Sequence, residues 1–327
     1  MRYLKFVFII LLIIPAKTIF AKGDSVLIFS YFKNNGKDGL HLAYSVDDCY
    51  TWKALNNDSS FLVPTAGGDK LMRDPCIIRG GDNLFHMVWT VSWNEKGIGY
   101  ASSADLVNWS EQKFIPVMKN EENALNCWAP EITYDKKNKQ YMIYWATTIP
   151  GRFTETDSTG DGKYNHRIYY VTTRDFKSFS ETKLLYDPGF NVIDASIVPD
   201  HGRYIMFFKD ETRYPPAKNI HIATSKELTG PFSKTGPAIT GKYWAEGPTA
   251  IKTGNKWIVY FDRYREHRMG AVTSSDLVNW EDISDKISFP SGTRHGSAFK
   301  ISKKEFDALI NLSHGFKRGE ERISGKT

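Results

Sequence analysis

One pattern recurs five times along this chain: an apolar or aromatic strand, a turn with Ser or Thr and Asp, and then an aromatic residue. The copies begin at Gly39, Gly97, Arg167, Asn219 and Met269, and their aromatic residues are Trp52, Trp109, Phe179, Phe232 and Trp280. These aromatic residues lie 48 to 70 residues apart, which fits one four-stranded blade per copy. A blade buries its faces only against neighbouring blades, so repetition around an axis closes the fold. The repeat therefore predicts an all-β, five-bladed β-propeller.

Each blade also needs an innermost strand, and the candidates are not evenly distributed along the chain. They begin at Arg73, Ala129, Ile193, Ala245 and Arg294, each with mixed apolar and turn-forming residues. The last candidate follows the final repeat, whereas the first repeat has no candidate of its own. We therefore expect the C-terminal strand near His295 to pair with the N-terminal strands, complete the first blade and close the ring.

The N-terminus has the composition of a secretory signal peptide. Arg2 and Lys5 precede an apolar run over residues 6–14, and Ile19-Phe20-Ala21 offers a cleavage site. A membrane anchor is the alternative, but a span needs about 20 apolar residues and no segment reaches that length. The sequence predicts a signal peptide over residues 1–21, one propeller domain over 22–304, and a C-terminal helix and polar tail over 305–327. The mature protein is then secreted or periplasmic, without membrane attachment.

Charge and cysteine content exclude several classes of protein. The formal net charge is +6, and it falls to +3 without the first 21 residues, which hold three basic residues and no acid. Such a mild, interspersed charge does not indicate nucleic-acid binding. Cys49, Cys76 and Cys127 are too few for a disulfide scaffold and lack zinc-site spacing, so we expect buried free thiols. We also expect a monomer without an organic cofactor.

An acid or a histidine lies near the start of every predicted innermost strand. These residues are Asp74, Glu131, Asp194, Glu246 and His295. Innermost strands run side by side around one channel, so we expect the five side chains to share one small space. A single acid at such a position more often caps a turn. Four carboxylates in one space repel one another at a cost in stability, so five such positions together indicate a functional site.

Five short motifs around these residues resemble glycoside hydrolase family 43, the five-bladed β-propeller glycosidases. The motifs are RDP at 73–75, WAPE at 128–131, IDA at 193–195, AEGP at 245–248 and RHG at 294–296. The resemblance covers residues 25–301. It implies that Asp74 is the general base, that Asp194 tunes the pKa of its neighbour and orients it, and that Glu246 is the general acid.

Inverting hydrolysis of a glycoside requires two carboxyl groups in different protonation states. One must be ionised to take a proton from water, and the other must be protonated to give a proton to the leaving oxygen. We expect Arg73 to lower the pKa of Asp74, and Trp244 together with the charge of Asp194 to raise the pKa of Glu246. RDP also occurs in retaining fructosidases and levansucrases, whose nucleophile lies in an earlier WMNDPNG-type motif. No such motif occurs between residues 24 and 72, which favours inversion.

Several further residues are expected near the substrate. The predicted substrate-binding residues are Arg73, Trp93, Trp128, Glu131, Trp244 and Arg294. By the resemblance, Trp128 offers a flat apolar face and Glu131 a partner for hydroxyl groups. Trp93, Trp244 and a further candidate, Arg152, are of residue types that more often serve in packing or at the surface than in ligand contact. The loops over residues 148–166 and 186–192 are expected to wall the mouth of the channel, and the Asp and Gly residues of the first loop fit a polar surface loop better than a calcium loop.

The resemblance also implies a metal ion, often calcium, beside His295 in the channel. The alternative for a lone histidine is a hydrogen-bonded core side chain.

These expectations combine into an inverting, exo-acting glycoside hydrolase. It would release terminal sugars, α-L-arabinofuranose first among them, from plant-type polysaccharides. β-Xylosidase, exo-β-1,3-galactosidase and endo-arabinanase activities are alternatives within the family. A non-catalytic carbohydrate-binding propeller is an alternative of another class, but it predicts the loss of at least one of the three acids. A propeller that binds only proteins gives no reason to crowd acids in the channel.

Overall fold

A computed structural model describes residues 25–47 and 49–324 of the chain, with side chains as far as residue 313. It contains nineteen strands and one α-helix. The first eleven strands are β1 Ser25–Tyr31, β2 His41–Ser45, β3 Trp52–Ala54, β4 Arg73–Arg79, β5 Phe85–Thr90, β6 Ile98–Ser103, β7 Lys113–Ile115, β8 Trp128–Asp135, β9 Gln140–Thr147, β10 Arg167–Thr173 and β11 Lys183–Tyr186. The remaining strands are β12 Val192–Asp200, β13 Arg203–Asp210, β14 Ile220–Ser225, β15 Glu246–Thr253, β16 Lys256–Arg263, β17 Arg268–Ser274, β18 Glu281–Asp282 and β19 Ser297–Ser302. Helix α1 spans Lys303–Ser324, and three short 3-10 turns span Asn56–Asp58, Thr154–Thr159 and Ser284–Lys286.

The strands form five small antiparallel sheets, which are the five blades of a β-propeller. Blades two to five contain β4–β7, β8–β11, β12–β14 and β15–β18, each with its first strand innermost. The first blade has the order β19-β1-β2-β3, so its innermost strand comes from the C-terminal end of the chain. The pairing runs from Ser25 with Ser302 to Ser30 with Ser297. The predicted fold and its closure by the C-terminal strand are therefore confirmed.

The Ser/Thr and Asp residues of the repeat form the turn after the third strand of a blade. Ser103 Oγ accepts the N–H of Asp105 at 3.1 Å, and Asp105 Oδ1 accepts the N–H of Asn108 at 2.7 Å. Asp175 and Asp276 accept equivalent bonds in the third and fifth blades. Short polar side chains that accept such local bonds favour turns over strands. The repeat thus marks the point at which each chain segment reverses.

The fourth blade has three strands, whereas the repeat predicts four. The segment after β14 still bonds to it, because the N–H groups of Ser233, Gly236 and Ile239 reach carbonyl oxygens of β14 or its flanks at 2.8 to 3.0 Å. Pro231 and Pro237 lie in this segment and have no N–H to donate. The chain therefore follows the position of a fourth strand without forming a continuous ladder.

Five hydrophobic clusters fill the five interfaces between neighbouring blades. The cluster between blades one and two also receives Phe306 and Leu309 of α1. This helix begins at Lys303, two residues before the start of the C-terminal segment in which a helix was predicted. Cys76 and Cys127 are buried free thiols, as predicted, and Cys49 is buried as well. The predicted signal peptide lies outside the described residues.

Within the described ranges, no helix has both the length and the apolar character that a bilayer crossing requires.

Candidate active site

A β-bulge at the start of the innermost strand aims the site residues in four of the five blades. The pairing register shifts between Arg73 and Cys76 in the second blade, and the third, fourth and fifth blades have the same shift. The second residue of each bulge has a positive φ, and these residues are Asp74 (53°), Ala129 (45°), Asp194 (54°) and Gly247 (61°). Positive φ is uncommon for residues with a Cβ and clusters at functional sites. In the second and fourth blades the bulge turns two consecutive side chains toward the end of the channel, and in the third and fifth blades it turns one.

The five predicted residues therefore do not occupy one equivalent position. Asp74 and Asp194 are second residues of their bulges, and His295 lies in the corresponding place before β19. Glu246 is the first residue of its bulge, and Glu131 is the fourth. The five side chains were expected to share one small space from equivalent strand starts, and the register shift at the bulge gives Glu131 a different position from the rest. Glu131 is consequently one step deeper in the channel than the other four.

A cavity of about 340 Å³ opens at this end of the channel. Its lining residues are Arg73, Asp74, Thr90, Trp93, Trp128, Ile193, Asp194, Glu211, Glu246, Tyr264, Arg294 and His295. Eight of the ten residues predicted as catalytic, substrate-binding or metal-binding are in this set. Glu131 and Trp244 are not. Thr90, Ile193, Glu211 and Tyr264 were not anticipated.

Asp74 is held as an ionised carboxylate. Thr90 Oγ1 donates to Asp74 Oδ2 at 2.8 Å, and His295 Nδ1 lies 3.3 Å from Asp74 Oδ1. Burial would raise the pKa of Asp74, but His295, Arg73 and Thr90 lower it to about 2. The pKa of Asp74 was expected to be lowered by Arg73, and it is lowered, although His295 has the larger effect. Asp74 can therefore accept a proton over a wide pH range.

Arg73 is positioned by aromatic rings and by Asn35. Its guanidinium carbon lies 4.3 Å from the ring centroid of Trp93 and 4.6 Å from that of Phe32. Arg73 Nη1 donates to Asn35 Oδ1 at 3.0 Å. Trp93 in turn packs edge-to-face on Trp128, with centroids 5.5 Å apart. These residues form a rigid wall of aromatic and cationic groups beside Asp74.

Asp194 and His295 lie at the centre of the site. Asp194 Oδ2 accepts the N–H of Gly247 at 2.9 Å and lies 4.0 Å from His295 Nδ1. Burial and the charge of Glu246 raise the pKa of Asp194 to about 7, although His295 opposes the shift. Burial lowers the pKa of His295, but the charges of Asp194 and Asp74 outweigh this and raise it to about 9. A Cβ at position 247 would lie 2.2 Å from the His295 ring, so only glycine fits there.

Glu246 contacts two cations, one of which was not predicted. Lys209 Nζ lies 3.0 Å from Glu246 Oε2, and Arg294 Nη2 lies 3.4 Å from Oε1. Burial would raise the pKa of Glu246, but Lys209 and Arg294 lower it below its usual value. The pKa of Glu246 is therefore lowered, whereas a raised pKa was expected. The reason is the buried ammonium group of Lys209, which outweighs Trp244 and Asp194.

Lys209 and Asp262 were missed because they lie on the second strands of their blades. In register, Lys209 is paired with Ile193 and Asp262 with Glu246, the first residues of two bulges. Thr90 occupies the same position opposite Arg73. Arg294 Nε donates to Asp262 Oδ2 at 2.5 Å, which leaves Arg294 facing Glu246. Each of the two charged residues, Lys209 and Asp262, lies near the end of a second strand that is mostly apolar. That pattern in the sequence could have identified them as residues that support the site.

Glu131 lies below the cavity, at the floor of the site. Its Oε2 accepts bonds from Cys76 Sγ at 3.4 Å and from Ser196 Oγ at 3.3 Å. Burial raises the pKa of Glu131 to about 7, with partial opposition from His295. The prediction that Glu131 contacts a sugar is therefore not supported by its position. Cys76 and Ser196 are fourth residues of their bulges, as Glu131 is, which explains why they meet.

Trp244 and Arg152 lie outside the cavity. Trp244 packs on Tyr264, a lining residue, with ring centroids 5.9 Å apart. Arg152 pairs with Glu121 at 2.9 Å, away from the site. Residues 148–166 and 186–192 contribute no lining side chain, but Tyr164 of the first loop packs on Trp128 at 4.6 Å. The first loop therefore supports one wall from behind.

The side chains around His295 do not form a metal-binding set. Ca²⁺ prefers six to eight oxygen ligands. Across residues 25–47 and 49–324, no group of three or more His, Cys, Asp or Glu side chains is placed to hold a metal ion. His295 Nδ1 faces two carboxylates instead. Calcium in the channel stays a prediction from the resemblance, and no reaction step below is assigned to it.

Comparison with known proteins gives one curated relative and several similar structures. An α-L-arabinofuranosidase of Bifidobacterium longum subsp. longum is 26% identical over 244 residues, which are 66% of this chain and 22% of the relative. The chain thus spans about a fifth of that relative's length. The crystal structure of an α-L-arabinofuranosidase from Lactobacillus brevis has a TM-score of 0.51 at 17% identity, covering 64% of this chain and 72% of the other. An exo-β-1,3-galactanase from Phanerochaete chrysosporium has a TM-score of 0.51 at 15% identity, covering 68% and 51%.

The structural neighbours support the fold, and a family model identifies the family. The model of the glycosyl hydrolase family 43-related domain, described as a probable glycosyl hydrolase domain, matches residues 25–307. That range runs from the first strand through the last and into α1, so it includes every residue of the site. The chain belongs to this glycosyl hydrolase family.

Proposed function

We propose that this protein is an inverting, exo-acting glycoside hydrolase that releases terminal α-L-arabinofuranose from plant-type polysaccharides. The observation that carries the proposal is the convergence of Asp74, Asp194 and Glu246 around His295 in one cavity. The predicted signal peptide extends it to a secreted or periplasmic enzyme. The similarity to the Bifidobacterium longum arabinofuranosidase supports the choice of sugar.

The proposed base is Asp74. Its pKa of about 2 keeps the carboxylate ionised, so it can take a proton from water as the oxygen attacks the anomeric carbon. Thr90 and His295 fix both carboxylate oxygens, which leaves few orientations to the side chain. The positive φ of Asp74 holds the backbone in the same orientation.

The proposed acid is Glu246, and its proton is shared with Asp194. The pKa directions put the proton on Asp194 rather than on Glu246. Two coupled carboxyl groups titrate as a pair, so the pair retains one proton up to about neutral pH. When a leaving oxygen lies against Glu246, the proton passes to that oxygen as the glycosidic bond breaks.

An exo-acting enzyme is favoured by the size of the cavity and by the wall that Trp93 and Trp128 form on one side. Arg73 and Arg294 supply donors for sugar hydroxyl groups in the same cavity. β-Xylosidase, exo-β-1,3-galactosidase and endo-arabinanase activities are the alternatives within the family. A non-catalytic carbohydrate-binding propeller would have no need to retain all three acids.

A panel of substrates tests the proposal. Initial rates are measured on 4-nitrophenyl α-L-arabinofuranoside, β-xyloside and β-galactoside, and on arabinan and galactan, with Glu246→Gln alongside. We expect the arabinofuranoside to be hydrolysed fastest and Glu246→Gln to lose at least about a hundredfold in rate. Equal turnover by the variant would refute the mechanism. Absence of turnover on every substrate would favour the binding propeller.

A further inference from the structure

A row of charged side chains runs from Glu246 to the rim of the cavity and alternates in sign. Lys209 Nζ lies 3.0 Å from Glu246 Oε2 and 2.6 Å from Glu211 Oε2. Glu211 Oε1 lies 2.5 Å from Lys218 Nζ, which also contacts Asp161 Oδ2 at 2.9 Å. The side chains of both lysines are almost completely buried, so each depends on its neighbouring carboxylates for compensation.

At the rim the alternation ends in an excess of positive charge. Arg213 Nε lies 3.8 Å from Asp161 Oδ1, a carboxylate that already pairs with Lys218. Arg265 is exposed, and no carboxylate of the described residues lies within 4 Å of its guanidinium. The nearby Glu266 is engaged by Arg263 and Arg268 instead.

Trp244 is the residue around which these cations gather. The guanidinium carbons of Arg213 and Arg265 each lie 5.0 Å from a Trp244 ring centroid, and Lys218 Nζ lies 5.7 Å from it. Each of these cation–ring contacts is attractive. The three like charges nevertheless repel one another, and a bound anion would remove this repulsion.

The position of this cluster relative to the cavity determines which part of a substrate it meets. Trp244 precedes Glu246 by two residues and packs on Tyr264, which lines the cavity. Glu246, as the proposed acid, donates to the leaving oxygen. The part of the substrate that leaves, the polysaccharide, therefore lies on the side of Trp244.

We propose that Arg213, Arg265 and Trp244 form a subsite for a carboxylate of a uronic acid residue in the polysaccharide from which the sugar is released. The inference rests on the proposed function, because it requires the leaving group on the Glu246 side. A guanidinium presents a planar set of donors that matches the two oxygens of a carboxylate. The Trp244 ring limits the orientations of both arginines, which reduces the entropy lost on binding. A sulfate ester carries the same charge, and the experiment separates the two.

The test compares Arg265→Gln and Arg213→Gln with the wild type. Arg268→Gln is the matched control, since Arg268 is also exposed but pairs with Glu266 and Asp285. The substrates are a uronate-bearing arabino-oligosaccharide, the same compound with its carboxylate reduced to an alcohol, a sulfated analogue, and 4-nitrophenyl α-L-arabinofuranoside.

We expect Arg265→Gln to raise KM for the uronate-bearing substrate about tenfold with kcat unchanged, which is the effect of one lost charge-assisted contact. Reduction of the carboxylate should raise the wild-type KM by a similar factor. The aryl glycoside should be unaffected in all variants, because it has no group that reaches the subsite.

Three results would overturn the inference. They are equal wild-type KM values for the uronate-bearing and reduced substrates, an equal loss in Arg268→Gln, and a lower KM for the sulfated analogue than for the uronate. Calorimetry with Glu246→Gln separates this inference from the proposed function. If uronate binding weakens in Arg265→Gln/Glu246→Gln while the wild type hydrolyses nothing, the subsite is supported and the hydrolase is refuted. If hydrolysis occurs without preference for the uronate, the hydrolase is supported and the subsite is refuted.

Discussion

Lys209 is the unpredicted residue with the largest effect on the proposed acid, Glu246. A fully buried lysine beside a proposed acid lowers the pKa of that acid, which by itself makes Glu246 a poor proton donor. In the proposed mechanism Asp194 offsets this effect, because its own raised pKa keeps one proton on the pair of carboxyl groups up to about neutral pH. The proposed proton-donating function thus belongs to a group of three side chains.

Replacing Lys209 by methionine tests this arrangement. We expect the alkaline limb of kcat/KM to move to higher pH by about one unit, because Glu246 then holds its proton more tightly. Initial rates across the pH range measure the limb. Lys218→Met is the control, since this equally buried lysine contacts Glu211 but not Glu246. An unmoved limb in Lys209→Met, or the same movement in Lys218→Met, would contradict the assignment.

Asp194→Asn should move the same limb in the opposite direction. The variant removes the carboxyl group that holds the shared proton near neutral pH, so the limb should fall toward the lowered pKa of Glu246. The amide preserves the shape of the side chain and can still accept the N–H of Gly247. The pH profile of kcat/KM is again the measurement, and an unchanged alkaline limb argues against the role of Asp194.

Glu131 provides a prediction about stability rather than rate. Burial raises its folded-state pKa to about 7, above the ordinary glutamate pKa of 4.5, so the folded protein binds more protons than the unfolded chain between these pH values. Stability is therefore lost as pH rises from 4.5 to 7. Glu131→Gln should unfold at a higher denaturant concentration than the wild type at pH 8, and the difference should shrink at pH 4.5. If Glu131→Gln were less stable than the wild type at pH 8, Glu131 would have to be ionised in the folded protein, with its charge stabilised by neighbouring groups.

Among the strands, the sequence predicts where the innermost strands lie but not the β-bulges that shift their register. The repeat located the innermost strands, and this brought Asp74, Asp194, Glu246 and His295 to one cavity correctly. The depth of Glu131 depends on a register shift that no local pattern marks. Lys209 contributes through its cross-strand position, which follows from pairing rather than from neighbours in sequence. The prolines of the fourth blade can be read from the sequence. Their effect, the loss of a continuous fourth strand, depends on how the segment pairs with the neighbouring strand.

The closure of the ring gives a prediction for a single glycine. A Cβ at Gly296 would lie 1.8 Å from the carbonyl oxygen of Ser30, on the strand that pairs with β19. Because the contact is with backbone, Gly296→Ala should lower the free energy of unfolding by about 3 kcal/mol. Gly236→Ala is the control, since its Cβ would lie an ordinary 3.4 Å from Ile222 O. Denaturant unfolding measures both variants, and equal midpoints would contradict this view of the closure.

At the scale of the whole molecule, the propeller explains how residues more than two hundred positions apart form one site. Asp74 comes from the second blade, Glu246 from the fifth, and His295 from the connection into the closing strand. The five interblade clusters fix the blades relative to one another, and so fix the distances within the site. The fold class followed from the repeat alone. The identity of the released sugar depends on cavity walls that the strand pattern does not specify.

In the proposed mechanism, Asp74 activates water while Glu246 protonates the leaving oxygen on the other side of the sugar. Proton NMR of the first product formed from an α-L-arabinofuranoside tests this claim directly, provided that spectra are recorded before the free sugar equilibrates. Inversion predicts that β-L-arabinose accumulates first. Initial release of the α-anomer would require a covalent intermediate and would contradict the roles assigned to Asp74 and Glu246.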